Sequence, residues 1–150
     1  MEPVSPPMKL NVCHTAHREP GTIFFTTRPG GLPTRQPYGW IIGVAQNGSI
    51  ALEHKVVGTT QDIRALPNGN LLFSQSAQGL LYELDQNGRS IHIWHAGGKW
   101  RDKTPPASSI ELPVNHIHHT VSILPNGNFL ILDAEAREFE NWYSNSTDEK

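Results

Sequence analysis

Two elements recur along the chain in the same order, and this repetition constrains the fold more than any other feature. "WIIGVAQNGSIALEHK" (40–55) and "LLYELDQNGRSIHIWH" (80–95) share their apolar runs, a central Gln-Asn-Gly and a closing histidine, with the turns 40 residues apart. "DIRALPNGNLLFS" (62–74) and "TVSILPNGNFLIL" (120–132) share Leu-Pro-Asn-Gly-Asn, in copies that begin at Leu66 and Leu124, 58 residues apart. If the unit is 40 residues, the second copy carries 18 more, and "AGGKWRDKTPPASSIELP" (96–113) is an 18-residue stretch rich in Gly, Pro and charge. It is expected to be an inserted loop.

Each repeated segment reads as a hairpin. Short runs rich in β-branched and aromatic residues flank an Asn-Gly pair, the strongest short-range hairpin signal, for which a type I′ turn is expected. A unit of about 40 residues made of two successive hairpins is the signature of a β-propeller blade with four strands. The expectation is an all-β chain: an N-terminal arm at 1–20, a partial propeller at 21–140 and a polar tail at 141–150. Within it, 38–56 is an outer half-blade and 61–95 a full blade, with strands at about 61–66, 70–75, 79–85 and 89–95. The segment 96–113 is the insertion and 117–133 an inner half-blade. "GTIFFTTRP" (21–29) reads as a further strand and "GGLPTRQP" (30–37) as a loop. The alternative is a meander or sandwich whose hairpins look alike because Asn-Gly turns are common.

Propellers close with about four to eight blades, and this chain supplies two to three. It therefore reads as a fragment of a longer propeller, with open blade edges through which copies would self-associate. Thirteen glycines and twelve prolines agree with a chain of many turns. A formal net charge of −2 gives no sign of a nucleic-acid partner, and no apolar run approaches the length of a membrane span. Cys13 is the only cysteine, so no disulfide forms within the chain. The N-terminus, with an early acid and three prolines, does not read as a signal peptide.

"VNHIHHT" (114–120) holds three histidines in four positions at the head of the second Leu-Pro-Asn-Gly-Asn hairpin. Aligned on that pentapeptide, His118, His119 and Thr120 take the places of Thr60, Gln61 and Asp62. The pair is thus an addition to one repeat. In a propeller the first strand of a blade lines the central channel, which would put these side chains at a ligand site. Three roles remain open: strand-end histidines bonded to nearby backbone, metal ligands, and groups acting on an anion or acyl-like group. His116 and His118 share a face of an extended segment, and with Asp133 or Glu135 they would suit zinc in a hydrolase. Imidazole also serves as nucleophile, acid–base group or oxyanion partner near neutral pH.

"HHTVSILPNGNFLILDAEA" (118–136) resembles the arylsulfotransferase family, whose members carry His-His-Asp, a Leu-Pro-Asn-Gly-Asn turn, and an apolar strand followed by small and acidic residues. "PGTIFF" and "GWIIGVAQNGSIALEHKVVG" are similar to the family's opening strands. The resemblance runs from about residue 20 to 140. It implies a six-bladed propeller that moves a sulfuryl group from an aryl sulfate ester to a phenol through a histidine-bound intermediate, with no cofactor. Export from the cell, to the periplasm or beyond, is also implied. By this resemblance His118 and His119 are catalytic, as oxyanion or acid–base partners, while Asn115, His116 and Thr120 contact substrate. Thr120 stands where the family has Asp. The family's later His-x-Asn-Ser, its following Arg and the Gln-His that supplies the nucleophile have no match in these residues. A reading of another class is a non-catalytic propeller, a quinoprotein-like scaffold that binds a ligand or a protein.

Among smaller signals, "CHTAH" (13–17) and "KWRDK" (99–103) read as surface loops and Trp40, Trp94 and Trp100 as packing residues. Asn47-Gly-Ser and Asn145-Ser-Thr match the glycosylation acceptor pattern.

Overall fold

A computed structural model describes residues 7–9, 11, 14–17, 19–27, 38–58 and 60–140. The expected loop at 30–37, the tail at 141–150, Cys13 and Asn145 lie outside the described residues. The fold is all-β. Ten strands form three sheets: β1 (Ile23–Thr27), β2 (Tyr38–Val44) and β3 (Ile50–Val57) make the first. β4 (Gln61–Ala65), β5 (Leu71–Gln75), β6 (Leu80–Leu84), β7 (Ser90–Ala96) and β8 (Ile110–Leu112) make the second, and β9 (His118–Ile123) with β10 (Phe129–Leu132) the third. Within each sheet consecutive strands are neighbours, and all pairings are antiparallel except β7 with β8. Among the described residues no sheet closes on itself, and no helix is long and apolar enough to cross a membrane.

The middle sheet is covered on both faces, which explains its continuous apolar runs "LLFSQ" and "LLYEL". Side chains alternate along a strand, so neighbours face opposite ways. Leu71 and Phe73 pack with Leu84, Ile41 and Val56 of the first sheet. Leu72 and Leu81 pack the other way, against Ile117 and Val121 ahead of and within β9. The first strands of the three sheets come together, with β4 against both β1 and β9. Trp40 is buried, and Trp94 packs edge-on to Phe129 with ring centroids 5.0 Å apart.

Four turns share one geometry, at 45–49, 66–70, 85–89 and 124–128. In each, the first residue exchanges backbone bonds with the fourth and fifth, as in Gly69 N–H to Leu66 O at 2.9 Å and Leu66 N–H to Asn70 O at 2.8 Å. Only the glycine has a positive φ, between 78° and 85°. These are three-residue loops, a type I turn closed by a left-handed glycine, rather than the expected type I′ turns. The asparagine does different work from that assigned to it. The Oδ1 of Asn47, Asn68 and Asn126 accepts the N–H two residues on, which favours the right-handed conformation at that position.

The segment 96–113 departs from a plain loop. Gly97–Trp100 forms one helical turn, and Ile110–Leu112 joins the outer edge of β7 as a parallel strand. The short "IEL" run supplies the backbone partners that β7's free edge would otherwise lack. Gly and Pro on either side obscured it in the sequence.

Candidate functional site

His118 and His119 open β9, and the strand is irregular there. Val121 pairs with Ile131 while His118 pairs with the next residue, Leu132, so His119 and Thr120 are extra residues opposite no partner. His119 takes a left-handed conformation, φ 51°. β4 carries a matching defect: Gln61 pairs with Ser74 and Ile63 with Phe73, which leaves Asp62 bulged at φ 43°. Bulges re-aim side chains and free backbone groups from the ladder.

The freed groups find partners between the two strands. Asp62 Oδ2 accepts the N–H of Val121 at 3.2 Å and the Nε–H of Arg64 at 3.1 Å. Ser74, buried on β5, has its hydroxyl 2.9 Å from the Gln61 carbonyl and 3.0 Å from that of His119, and its one proton serves both. The histidine backbone is therefore fixed by Asp62 and Ser74 of the neighbouring sheet. The imidazoles themselves are exposed, with ring centroids 4.2 Å apart at 70°, and neither ring has a hydrogen-bond partner among the described residues. Thr120 is likewise exposed.

Asn115 and His116 are held separately. The Asp133 carboxylate accepts three backbone N–H groups, from Asn115 at 3.0 Å and from His116 and Ala134 at 2.7 Å each. The Asn115 bond, opposed by slight burial and joined by the His116 and Ala134 bonds, keeps the Asp133 carboxyl below its ordinary range. The His116 ring donates from Nδ1 to the Ala134 carbonyl at 3.2 Å, because a carbonyl only accepts. Asp133 is thus a backbone clamp, and among the described residues no group of three or more His, Cys, Asp or Glu is arranged to hold a metal ion. Asn115 also lines a cleft of about 450 Å³ with Gly97, Gly98, Arg101 and Glu111.

Two other polar clusters were not foreseen. The buried Glu83 carboxylate gathers the side-chain amides of Asn68 and Asn70 on Oε1 and the His92 Nδ1 at 2.9 Å on Oε2. Burial raises its proton affinity, but the bonds from Asn70, His92 and Asn68 together outweigh that and hold the carboxyl below its ordinary range. His95, also buried, contacts the Ser109 hydroxyl at 2.9 Å. That hydroxyl donates to the Pro106 carbonyl at 2.6 Å, so it accepts from His95 and is not poised as a nucleophile. The repeated Leu-Pro-Asn-Gly-Asn was the available signal for the Glu83 cluster, since its asparagines recur where a turn alone requires only one.

The structure therefore brings His118, His119 and Thr120 together on one bulge and sets Asn115 and His116 on the Asp133 clamp that precedes it. Comparison of the chain with protein-family models, curated proteins and solved structures finds no match in any of the three.

Proposed function

We propose that the chain is part of a β-propeller of the arylsulfotransferase type, with His118 and His119 binding the sulfuryl oxygens of an aryl sulfate ester. The observation that carries this reading is the bulge that turns two adjacent, unpaired imidazoles outward from β9. Three stacked sheets whose first strands adjoin also favour a blade arrangement. In the reaction so assigned, a nucleophilic histidine nitrogen attacks sulfur, the sulfur–oxygen bond breaks and a phenolate departs. The oxygen of an acceptor phenol then attacks the same sulfur, loses its proton to a base and frees the imidazole. Backbone fixed at Asp62 and Ser74 makes His118 and His119 preorganised donors for the charged oxygens. Thr120, Asn115 and His116 would contact substrate beside them. No cofactor enters this chemistry.

A second reading, a propeller that binds a ligand without transforming it, is favoured by one observation. Neither imidazole has an orienting carboxylate, the third group that activated nucleophiles and bases usually carry.

The deciding experiment follows release of 4-nitrophenolate from 4-nitrophenyl sulfate with excess phenol, beside titration of the ester into the protein. Turnover that falls about a hundredfold in His118→Ala and His119→Ala supports transfer. Ester binding lost in those variants, with no turnover in the parent, supports the binding scaffold. Equal behaviour of variants and parent removes both.

A further inference from the structure

The two copies of Leu-Pro-Asn-Gly-Asn differ in what they hold. In the first, the side-chain amides of Asn68 and Asn70 grip Glu83, which β6 delivers by pairing with β5 in the register Leu72 to Glu83. In the second, Asn126 and Asn128 sit on the same turn, with the same bond from Asn128 N–H to Asn126 Oδ1. Their side-chain amides have no partner among the described residues. The strand that follows, β10, pairs only with β9, so its far edge is open there. Leu130 and Leu132 are 62% and 58% exposed, whereas their counterparts Leu72 and Ser74 are 2% and 1%.

The filled copy shows what the empty copy lacks. We propose that the open edge of β10, with the amides of Asn126 and Asn128, is a docking site for an extended segment of another polypeptide that carries an acidic residue between apolar ones. The register of β6 on β5 specifies the segment. An antiparallel strand places an apolar residue opposite Leu132, an aromatic one opposite Ile131, a carboxylate opposite Leu130 and an apolar one opposite Phe129. Main-chain bonds along the edge give affinity and the carboxylate fixes register, as in strand addition generally. Charged acceptors also make the stronger hydrogen bonds to amides. Within this chain the order apolar, aromatic, acidic, apolar occurs once, at Leu81–Leu84, in a strand already held between β5 and β7. A second copy therefore has no free segment of this kind, and the partner is a different chain. The inference is independent of the histidine chemistry.

The test uses the full 150-residue protein and a labelled peptide of the sequence Gly-Leu-Leu-Tyr-Glu-Leu-Asp, taken from residues 79–85. Anisotropy measures affinity, and amide spectra locate the contact. Binding that shifts the side-chain amides of Asn126 and Asn128, and the backbone of β10, supports the proposal. Replacing the peptide's Glu by Ala should weaken binding about tenfold, as should Asn128→Ala, which leaves the turn's backbone bond intact. Asn128→Asp keeps the size and turns the donor into a repelling charge, and it should weaken binding further. Equal affinity of the Glu and Ala peptides overturns the proposal. So does protection of β10 amides that rises with protein concentration in the absence of peptide, which would mean that the edge pairs with a second copy.

Discussion

Asp62 and Val121 are joined by a hydrogen bond of 3.2 Å between carboxylate and backbone N–H, across two strands of different sheets. Both lie at bulges, so a residue misplaced on one strand repairs a backbone group released on the other. Replacing Asp62 by Ala should cost about 1–3 kcal/mol in urea unfolding, through the stranded N–H and the left-handed backbone. Asp62→Asn, which keeps an oxygen acceptor and tolerates that backbone, should cost under about 1 kcal/mol. Shifted ring resonances of His119 in the Ala variant, and not in the Asn variant, would show that the bond positions the histidine.

His119 itself has the left-handed φ of 51°. His119→Gly should therefore be more stable than His119→Ala by about 1 kcal/mol in thermal or urea unfolding, while the two lose aryl sulfate binding equally. A stability order reversed between them would contradict the bulge geometry.

Acid should weaken the fold through Glu83 and Asp133. Both carboxyls lie below their ordinary values of 4.5 and 3.8 in the folded protein. A depressed folded value means that the unfolded chain binds protons first. The stability is thus complete above the ordinary values and is lost as pH falls through them towards the folded ones. Glu83→Gln should flatten the unfolding free energy between about pH 5 and 3 and Asp133→Asn should flatten it less, since Asp133 is nearly exposed. Parallel pH curves for variant and parent would exclude these groups as the cause.

Two glycines should fail for different reasons. Gly127 has φ 83° and nothing within 4 Å of a would-be Cβ, so Gly127→Ala should cost about 1–2 kcal/mol from backbone strain alone. At Gly98 a Cβ would stand 2.6 Å from the Asn115 Cα. Gly98→Ala should push Asn115 away, and amide shifts should spread to His116 and Asp133 in that variant only.

The all-β character was legible because helix formers are sparse and apolar runs flank turn residues. Hairpin positions followed from Asn-Gly. Their turn type did not, since the Asn side chain bonds forward and only the glycine turns left-handed. The strand at Ile110–Leu112 was illegible, being three residues that are stable only on the edge of β7. At the site, the alignment with Gln61 and Asp62 marked His119 and Thr120 as the odd residues of their repeat. The bulges could not be read from it, because a freed N–H and its partner lie 59 residues apart. Asp133 was noticed as a carboxylate near histidines, but its lone pairs go to backbone, a role that leaves no trace in residue type.

The covered faces of the middle sheet have one more consequence. Where one face of a sheet is wet, a strand that slips by one residue turns its greasy side to water and is corrected. β5 and β6 have no wet side, so polarity between faces cannot count residues for them. Polar fixings must do so instead: Glu83 under its two asparagines, Ser74 beneath two carbonyls, and Gln75 on the Val57 carbonyl. A slip of one place would carry each of these away from its partner and leave it buried alone. In this sheet the few hydrophilic residues serve as the ruler that aligns the hydrophobic ones.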